Sequence, residues 1–553
     1  MRNSYILLLF GFGLVLTACQ PVGETTDTVD ITIDTTAIDT YLNTLASDEF
    51  LGRKPFTEGE TKTVAFLKSE LENMGVAPGN GDSYFQEVPL VETTATPAVT
   101  MTIQGPGGSQ DLSIGEDYVV YTQREQDQVS IQDAELVFCG YGIVAPEYNW
   151  NDYEGIDMAG KIAVVMVNDP GFESKDSTFF KGETMTYYGR WTYKYEEAAR
   201  QGALGVLIIH ETNAAGYPWF VVSSSWSGGR LDLQTPNGNM DKCAVQGWVS
   251  LGAAAKIFQA SGMTGGRFFD RAKSADFEPI PLGVTASTSL TNTFKKDVSQ
   301  NVVGMIRGSE RPDEYIIYTA HWDHLGVGET VAGDSIYNGA VDNASGTAAV
   351  LAIAKAFTQL PKAPERSVVF LFVTAEEQGL LGSAYYAENP IFPVEQTVAN
   401  LNIDAMQSYG PTKDLVIIGY GQSELEEYAR EVAEKQGRYL VPDLEPEKGY
   451  FFRSDHFSFA KAGIPALYAE AGKDHVTKGK AYGEEKSQEY TANAYHRPAD
   501  EYVAEEWDLG GMQQDAQLYF EIGQKLANET SFPKWKEGSE FKAIREASLK
   551  PKG

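Results

Sequence analysis

From about Pro281 onward the chain alternates short apolar runs with helical patterns, and no other feature limits the possible fold so tightly. The runs are NVVGMI, YIIYTA, VVFLFVT, VANLNID and LVIIGY, and among them fall GTAAVLAIAKAF and SELEEYAREVAEKQG. Strand-forming runs joined by helix-length crossovers build an α/β fold, a mixed, mainly parallel sheet sandwiched by helices. Open sheets of this kind place their sites beyond the carboxyl ends of the strands. YIIYTA runs into His321, Asp323 and His324, VVFLFVT runs into Glu376 and Glu377, and VANLNID ends in Asp404.

Each of these polar residues has an ordinary reading of its own. A lone histidine is often just part of a polar loop, and adjacent glutamates are often solvated. In NGAVDNASGTAAVLAIA, Asn343 and Ser345 are plausible caps of a buried helix, but capping leaves Asp342 unexplained. Taken together, three successive strand ends deliver His, Glu and Asp to one edge of a sheet, and an ionised group at such an apolar strand end needs a partner. Bound divalent cations would turn the repulsion between neighbouring carboxylates into attraction. Imidazole and carboxylate ligands without thiolate suit a catalytic zinc or a similar transition-metal ion.

The motifs HWD, VDNASG, AEEQGLLGS, NID and YHRPAD occur here in an order that resembles the co-catalytic dinuclear zinc aminopeptidases. That family includes secreted bacterial aminopeptidases and glutamate carboxypeptidase relatives. The likeness extends to LASDEFLGRKPFTEGE and to GYGIVAPEYNWNDYEGIDMAGKIAVV, which resembles an inserted β-rich protease-associated domain. The resemblance implies two Zn2+ ions, with His321 and Asp404 on one, Glu377 and His496 on the other, and Asp342 bridging both. It casts Glu376 as general base, Asp323 as the carboxylate that orients His321, and Tyr495 as hydrogen-bond donor to a developing oxyanion. His324 has no ligand role in this pattern and is expected to be structural. Arg453 and His456, in RSDHFSFAKAGIPAL, are candidate substrate contacts. His210 and His475 have no motif around them.

The implied activity is exopeptidase cleavage at the amino end of peptides. A carboxypeptidase of the glutamate type and a glutaminyl-cyclase-like single-zinc enzyme are the alternatives within the class. A non-catalytic binding protein, as in the transferrin receptor, is disfavoured because every proposed ligand is present. Asp404 is followed by Ala405 and Met406 where many relatives place a hydrophobic residue directly, so the local loop is expected to differ.

The chain has 553 residues, enough for more than one domain, and a net charge of -33. That acidity argues against nucleic acid, whose backbone is bound by Lys and Arg, and reads as a well-solvated secreted surface. MRNSYILLLFGFGLVLTACQ has a basic start and a short apolar run, as signal peptides do. Leu16 to Cys19 resembles a bacterial lipobox, so Cys19 is expected to be lipidated and to anchor an exported lipoprotein to a membrane. Gln20 lacks the aspartate associated with inner-membrane retention, so the outer membrane, or the cell surface or periplasm, is expected. The resulting division is residues 1–19 signal and lipobox, 20–36 flexible tether, 37–128 and 281–530 zinc peptidase domain, 129–280 inserted domain, and 531–553 charged tail.

Only Cys139 and Cys243 remain after Cys19, too few for a disulfide framework, although an exported protein could join them. Between Phe179 and Trp226 the inserted region is dense in aromatics, including Trp191 and Trp219. They read either as the core of a small domain or as a wall for peptide side chains. The oligomeric state is not legible from the sequence.

Overall fold

A computed structural model of the chain describes residue 1 and residues 31–550, apart from 175, 227 and 264–265. Cys19 and the expected signal segment from residue 2 onward lie outside the described residues. Among the described residues no helix is long and apolar enough to cross a membrane.

The first core is built on eight strands: β1 (Phe85–Pro97), β2 (Ile280–Ile306), β3 (Arg311–His321), β4 (Arg366–Val373), β5 (Thr397–Asn402), β6 (Asp414–Ile418), β7 (Tyr439–Pro442) and β8 (Ala466–Ala471). Their pairings give the order β1–β2–β4–β3–β5–β8–β6–β7. The four central strands are mutually parallel, and antiparallel pairs flank them, as the alternation of runs and helices requires.

Successive side chains of a strand point to opposite faces, so one apolar run can feed two cores. On β3, Ile316, Tyr318 and Ala320 join the larger core while Ile317 joins a smaller one on the other face. On β4, Val368, Phe370 and Phe372 divide in the same way from Val369, Leu371 and Val373. The larger core is covered by α1 (Thr35–Leu45), α2 (Gly346–Thr358) and α3 (Gly510–Asn528). A further helix runs over Glu58–Asn73, and Gly75 at φ +76° ends it.

A second core gathers Val129, Leu136, Phe138, Val164, Leu207 and Val249 from the region expected as an insertion, but also Met101, Ile103, Leu112, Tyr118 and Val120. Packing of this core therefore begins before residue 129, because the hairpin Thr100–Gly105 with Gly108–Ser113 pairs with the first half of β2. The 27 residues of β2 serve both cores: the first half pairs with Gln128–Phe138 and the end with β4. Cys139 and Cys243 are both buried free thiols.

Most of the aromatic segment is core, and Phe220 is its exposed exception. Phe180, Tyr193 and Tyr195 are buried, and Trp191 and Trp219 pack against a buried cluster. The charged tail does not hang free: Trp535 and Phe541 are buried, and Arg545 donates to the carbonyl oxygens of Val394 and Thr397, each at 2.7 Å.

Helix α3 lies close to the sheet at Gly523, where an added Cβ would collide with the hydroxyl of Tyr318. That hydroxyl donates to the carbonyl oxygen of Tyr519 at 2.8 Å. Gly523→Ala should destabilise the fold by about 1–3 kcal/mol through overpacking, read as a lowered urea midpoint. An unchanged midpoint would show that the helix can shift outward at no cost.

Candidate metal centre

Strands β3, β4 and β5 end side by side, and the loops beyond them carry the expected residues. His321 is the last residue of β3 and is 1% exposed. Its Nε2 lies 3.2 Å from Asp342 Oδ1, 3.2 Å from Asp404 Oδ1 and 3.8 Å from Glu376 Oε2. His496 Nε2 lies 3.2 Å from Asp342 Oδ2 and 3.2 Å from Glu377 Oε2. Asp342 thus turns one carboxylate oxygen to each histidine, and five groups from distant parts of the chain surround it.

The turn that carries Asp342 is held from behind. Asp500, the final residue of YHRPAD, accepts from the backbone N–H groups of Val341 (3.0 Å) and Asp342 (3.1 Å). Asn343 Oδ1 accepts from the N–H of Gly346 (2.9 Å), as a cap would, and also from that of Ala405 (3.1 Å). Ser345, expected as a second cap, makes no capping bond; its hydroxyl donates to the carbonyl of Val341 (2.6 Å) and accepts from the N–H of Met406 (2.9 Å). These bonds tie the Asp342 turn to the Asp404 loop, where Ala405 adopts φ +57°.

Asp323 links two of the loops. His321 Nδ1 lies 3.1 Å from the Asp323 carbonyl oxygen and 3.7 Å from its carboxylate, which accepts the N–H of Glu376 at 3.0 Å. The main chain is therefore the nearer orienting partner of His321. The Asp323 carboxylate positions Glu376.

His324 departs from expectation. It is 1% exposed, its Nδ1 lies 2.6 Å from Glu377 Oε1, and His324, Asp342 and Glu377 form a group able to hold an ion. His321, Asp342 and Asp404 form another. The second histidine of HWDH is part of the site, because the loop turns back on itself and aims His324 at the end of β4.

The electrostatics are those of crowded buried carboxylates. Burial pushes the Glu376 carboxyl well up, and Asp404, Glu377 and Asp455 add to the effect while His321 opposes it. Burial and Asp342 also push the Glu377 carboxyl up, but His496 and His324 prevail and hold it down to about 2. Bound cations would stabilise the ionised form of every one of these groups. Both imidazole and carboxylate donors are present in the two groupings, so the residues fit zinc.

A cleft of about 740 Å³ opens on the cluster, lined in part by Asp342, Glu376, Glu377, Asp404, Tyr450, Arg453, Tyr495 and His496. Tyr495 is half exposed and stacks on His496 with ring centres 3.9 Å apart. Burial against the carboxylates pushes its phenol up, so it remains a hydrogen-bond donor through the neutral range. Arg453 lines the cleft and donates to the Lys448 carbonyl at 2.6 Å. The next residue, Ser454, donates to Asp404 Oδ2 at 2.5 Å. Nothing from the aromatic segment between Phe179 and Trp226 lines the cleft.

His456, expected beside the substrate, is elsewhere. It is 0% exposed, with its ring 4.7 Å from that of Phe451 and 5.0 Å from that of Tyr468, because the short helix His456–Lys461 turns it into the interior. His210 and His475 lie outside the cluster, held at the Tyr217 carbonyl (3.0 Å) and by the N–H groups of Thr477 and Lys478 (3.1 Å).

Histidines and carboxylates brought together at the carboxyl ends of parallel strands define an α/β protein with a candidate metal centre. Residues 301–520 match the model for peptidase family M28. Aminopeptidase NAALADL1 of Mus musculus is 38% identical over 136 residues, 23% of this chain and 17% of that protein. A glutamate carboxypeptidase 2 homolog of Caenorhabditis elegans is 35% identical over 130 residues, 23% of this chain and 16% of that protein. The matched stretches thus span less than a fifth of these two relatives. The solved structure of BSAP, a zinc aminopeptidase from Bacillus subtilis, aligns over 94% of this chain and 100% of that one, at 19% identity and a TM-score of 0.43.

Burial pulls the His456 imidazole down to about 3, whereas in the unfolded chain it titrates near 6.5. Between those values the unfolded state binds the extra proton. Stability from this group is complete above about 6.5 and falls by about 1.4 kcal/mol per pH unit as pH drops towards 3. His456→Leu should flatten that acid slope, measured as urea midpoints at pH 7 and pH 5. An identical slope in the variant would mean that His456 does not contribute to it.

Proposed function

We propose that the protein is a zinc-dependent exopeptidase that removes the amino-terminal residue of peptides, with two Zn2+ ions held by His321 and Asp404, by Glu377 and His496, and by Asp342 between them. The observation that carries this reading is the placement of Asp342, whose two oxygens each lie 3.2 Å from a different histidine. When bound, the ions polarise the scissile carbonyl and acidify water at neutral pH. Glu376, at the cleft floor and oriented through its own N–H by Asp323, accepts the proton of the attacking water and returns it to the departing amine. Tyr495 donates to the oxygen on which negative charge develops. His324 holds Glu377 through Oε1, the carboxylate oxygen that does not face His496.

The lining of the cleft favours the amino end. Beyond the cluster it carries Asp443, Glu445, Glu470, Glu489, Glu501 and Glu506 against Lys473, Lys486 and Arg453, a net acidic lining that attracts a protonated α-amino group and repels a terminal carboxylate. Arg453 favours the second reading, a carboxypeptidase of the glutamate type, because it can answer a carboxylate in the same cleft.

Glu376→Gln should keep its metal and lower kcat by about 10² to 10⁴, while Glu377→Ala should lose metal. Metal analysis beside kinetics checks both, and equal metal loss in the two variants would reverse the assignment. Amino-terminal acetylation of a test peptide should abolish turnover, and carboxyl-terminal amidation should be tolerated. Mass spectra showing cleavage at the carboxyl end of the acetylated peptide would establish the carboxypeptidase reading instead.

A further inference from the structure

The stretch LASDEFLGRKPFTEGE contributes nothing to the lining of the cleft, yet its Arg53 is 1% exposed and lies directly behind the site. Arg53 Nε donates to the carbonyl oxygen of Trp322 at 2.9 Å, and Nη2 donates to that of Gly339 at 2.9 Å. Its Nη1 donates to the carbonyl oxygens of Asn338 (2.6 Å) and Leu45 (2.7 Å). Trp322 stands between His321 and Asp323, and Gly339 opens the turn that carries Asp342. One planar fork therefore binds two of the loops whose side chains make up the cluster.

The chain around Arg53 is shaped for this reach. Leu51, Gly52 and Arg53 all have positive φ, at 51°, 62° and 50°. A Cβ at Gly52 would collide with the Tyr337 carbonyl oxygen and lie 2.8 Å from that of Gly326, so only glycine lets the segment come this close. Asn338 adds a side-chain tie, donating to Asp48 at 2.8 Å and to Glu501 at 2.9 Å. The strap thus touches the loop after β3 at both ends, Trp322 and Gly326, and the turn before Asp342 at Asn338 and Gly339.

Burying a guanidinium costs several kcal/mol unless its donors are satisfied and opposite charge is near. Here carbonyl oxygens accept from four of the five N–H groups, and Asp500, Asp323, Asp342 and Glu377 supply the charge. A cation at this position repels a bound metal ion by its charge alone, so charge does not explain why it would serve a metal centre. Geometry does: five N–H groups in a rigid plane can hold several carbonyls at fixed separation, which an ammonium cannot.

We propose that Arg53 is a positioning residue for the metal centre, fixing the spacing between the His321–His324 loop and the Asp342 turn before any ion binds. The inference rests on reading the cluster as a metal centre. It assigns a role to LASDEFLGRKPFTEGE that the proposed catalytic chemistry does not use.

Arg53→Lys keeps the charge and loses the fork. The folded variant should bind zinc about 10- to 100-fold more weakly in competition with a chelator, the range expected when a group that orients ligands is removed. When the variant is reloaded with zinc in excess, kcat should fall while KM stays near the wild-type value, since Arg53 does not line the cleft. Hydrogen exchange on the wild-type protein gives a second measurement that needs no variant. Peptides covering residues 319–326 and 337–345 should already be protected in the zinc-free form and change little on loading. A folded Arg53→Lys with wild-type zinc affinity would overturn the proposal. If that variant does not fold, wild-type peptides that become protected only after zinc is added would overturn it, and protection before zinc would support it. A wild-type protein that takes up no zinc would instead sink the metal-centre reading, and this inference with it.

Discussion

Buried like charges that must be brought together govern the architecture of this molecule. Asp323, Asp342, Glu376, Glu377 and Asp404 meet in a space that burial makes hostile to each of them, and only opposite charge makes their proximity tolerable. The surrounding fold distributes the cost. Parallel strands β3, β4 and β5 bring three loops to one edge, and Asp500, Asn343, Ser345 and Ser454 take up the hydrogen bonds those loops leave open. Folding energy for this edge comes from the two apolar faces of the sheet, which lie away from the charges. The polar centre can therefore be suboptimal for stability without compromising the fold.

The alternation of apolar runs made the sheet and its site edge legible, because a fully buried parallel strand has to be apolar throughout and a crossover has to be helical. The meeting of His321, Glu376, Glu377 and Asp404 was legible because each falls at or just beyond a strand end, and Asp342 and His496 were legible through their motifs. His324 was not. A histidine three residues after another gives no signal of its own, and only the tight turn of the loop places it on Glu377. His456 misled in the opposite sense: its SDH context looks like a site, but a short helix rotates the ring into the apolar interior. Asp500 and Arg53 act on backbone groups, and the sequence does not show which backbone groups will come within reach.

The second core shows why a boundary drawn from sequence falls short. The segment VTMTIQ, residues 99–104, alternates as a strand does, but an alternating strand does not state which sheet it joins. Pairing to β2 settled that, and β2 could be assigned wholly to neither core. The tail from residue 531 posed a related problem, since its charged residues dominate the composition while Trp535 and Phe541 determine where it packs.

Strand β2 runs from Ile280 to Ile306, paired with β1 from Leu290 to Val302, and each core claims part of it. A hinge needs a few residues whose dihedrals are free to change, and a hydrogen-bonded strand offers none. Force applied to the second core would therefore pass along the ribbon to β4, beyond whose end lie Glu376 and Glu377, and the irregularities of the ribbon fall only at its second-core end, between Pro281 and Thr288. The two halves of the protein are joined as a girder joins two walls, so relative movement between them has to occur by bending or sliding of packed faces.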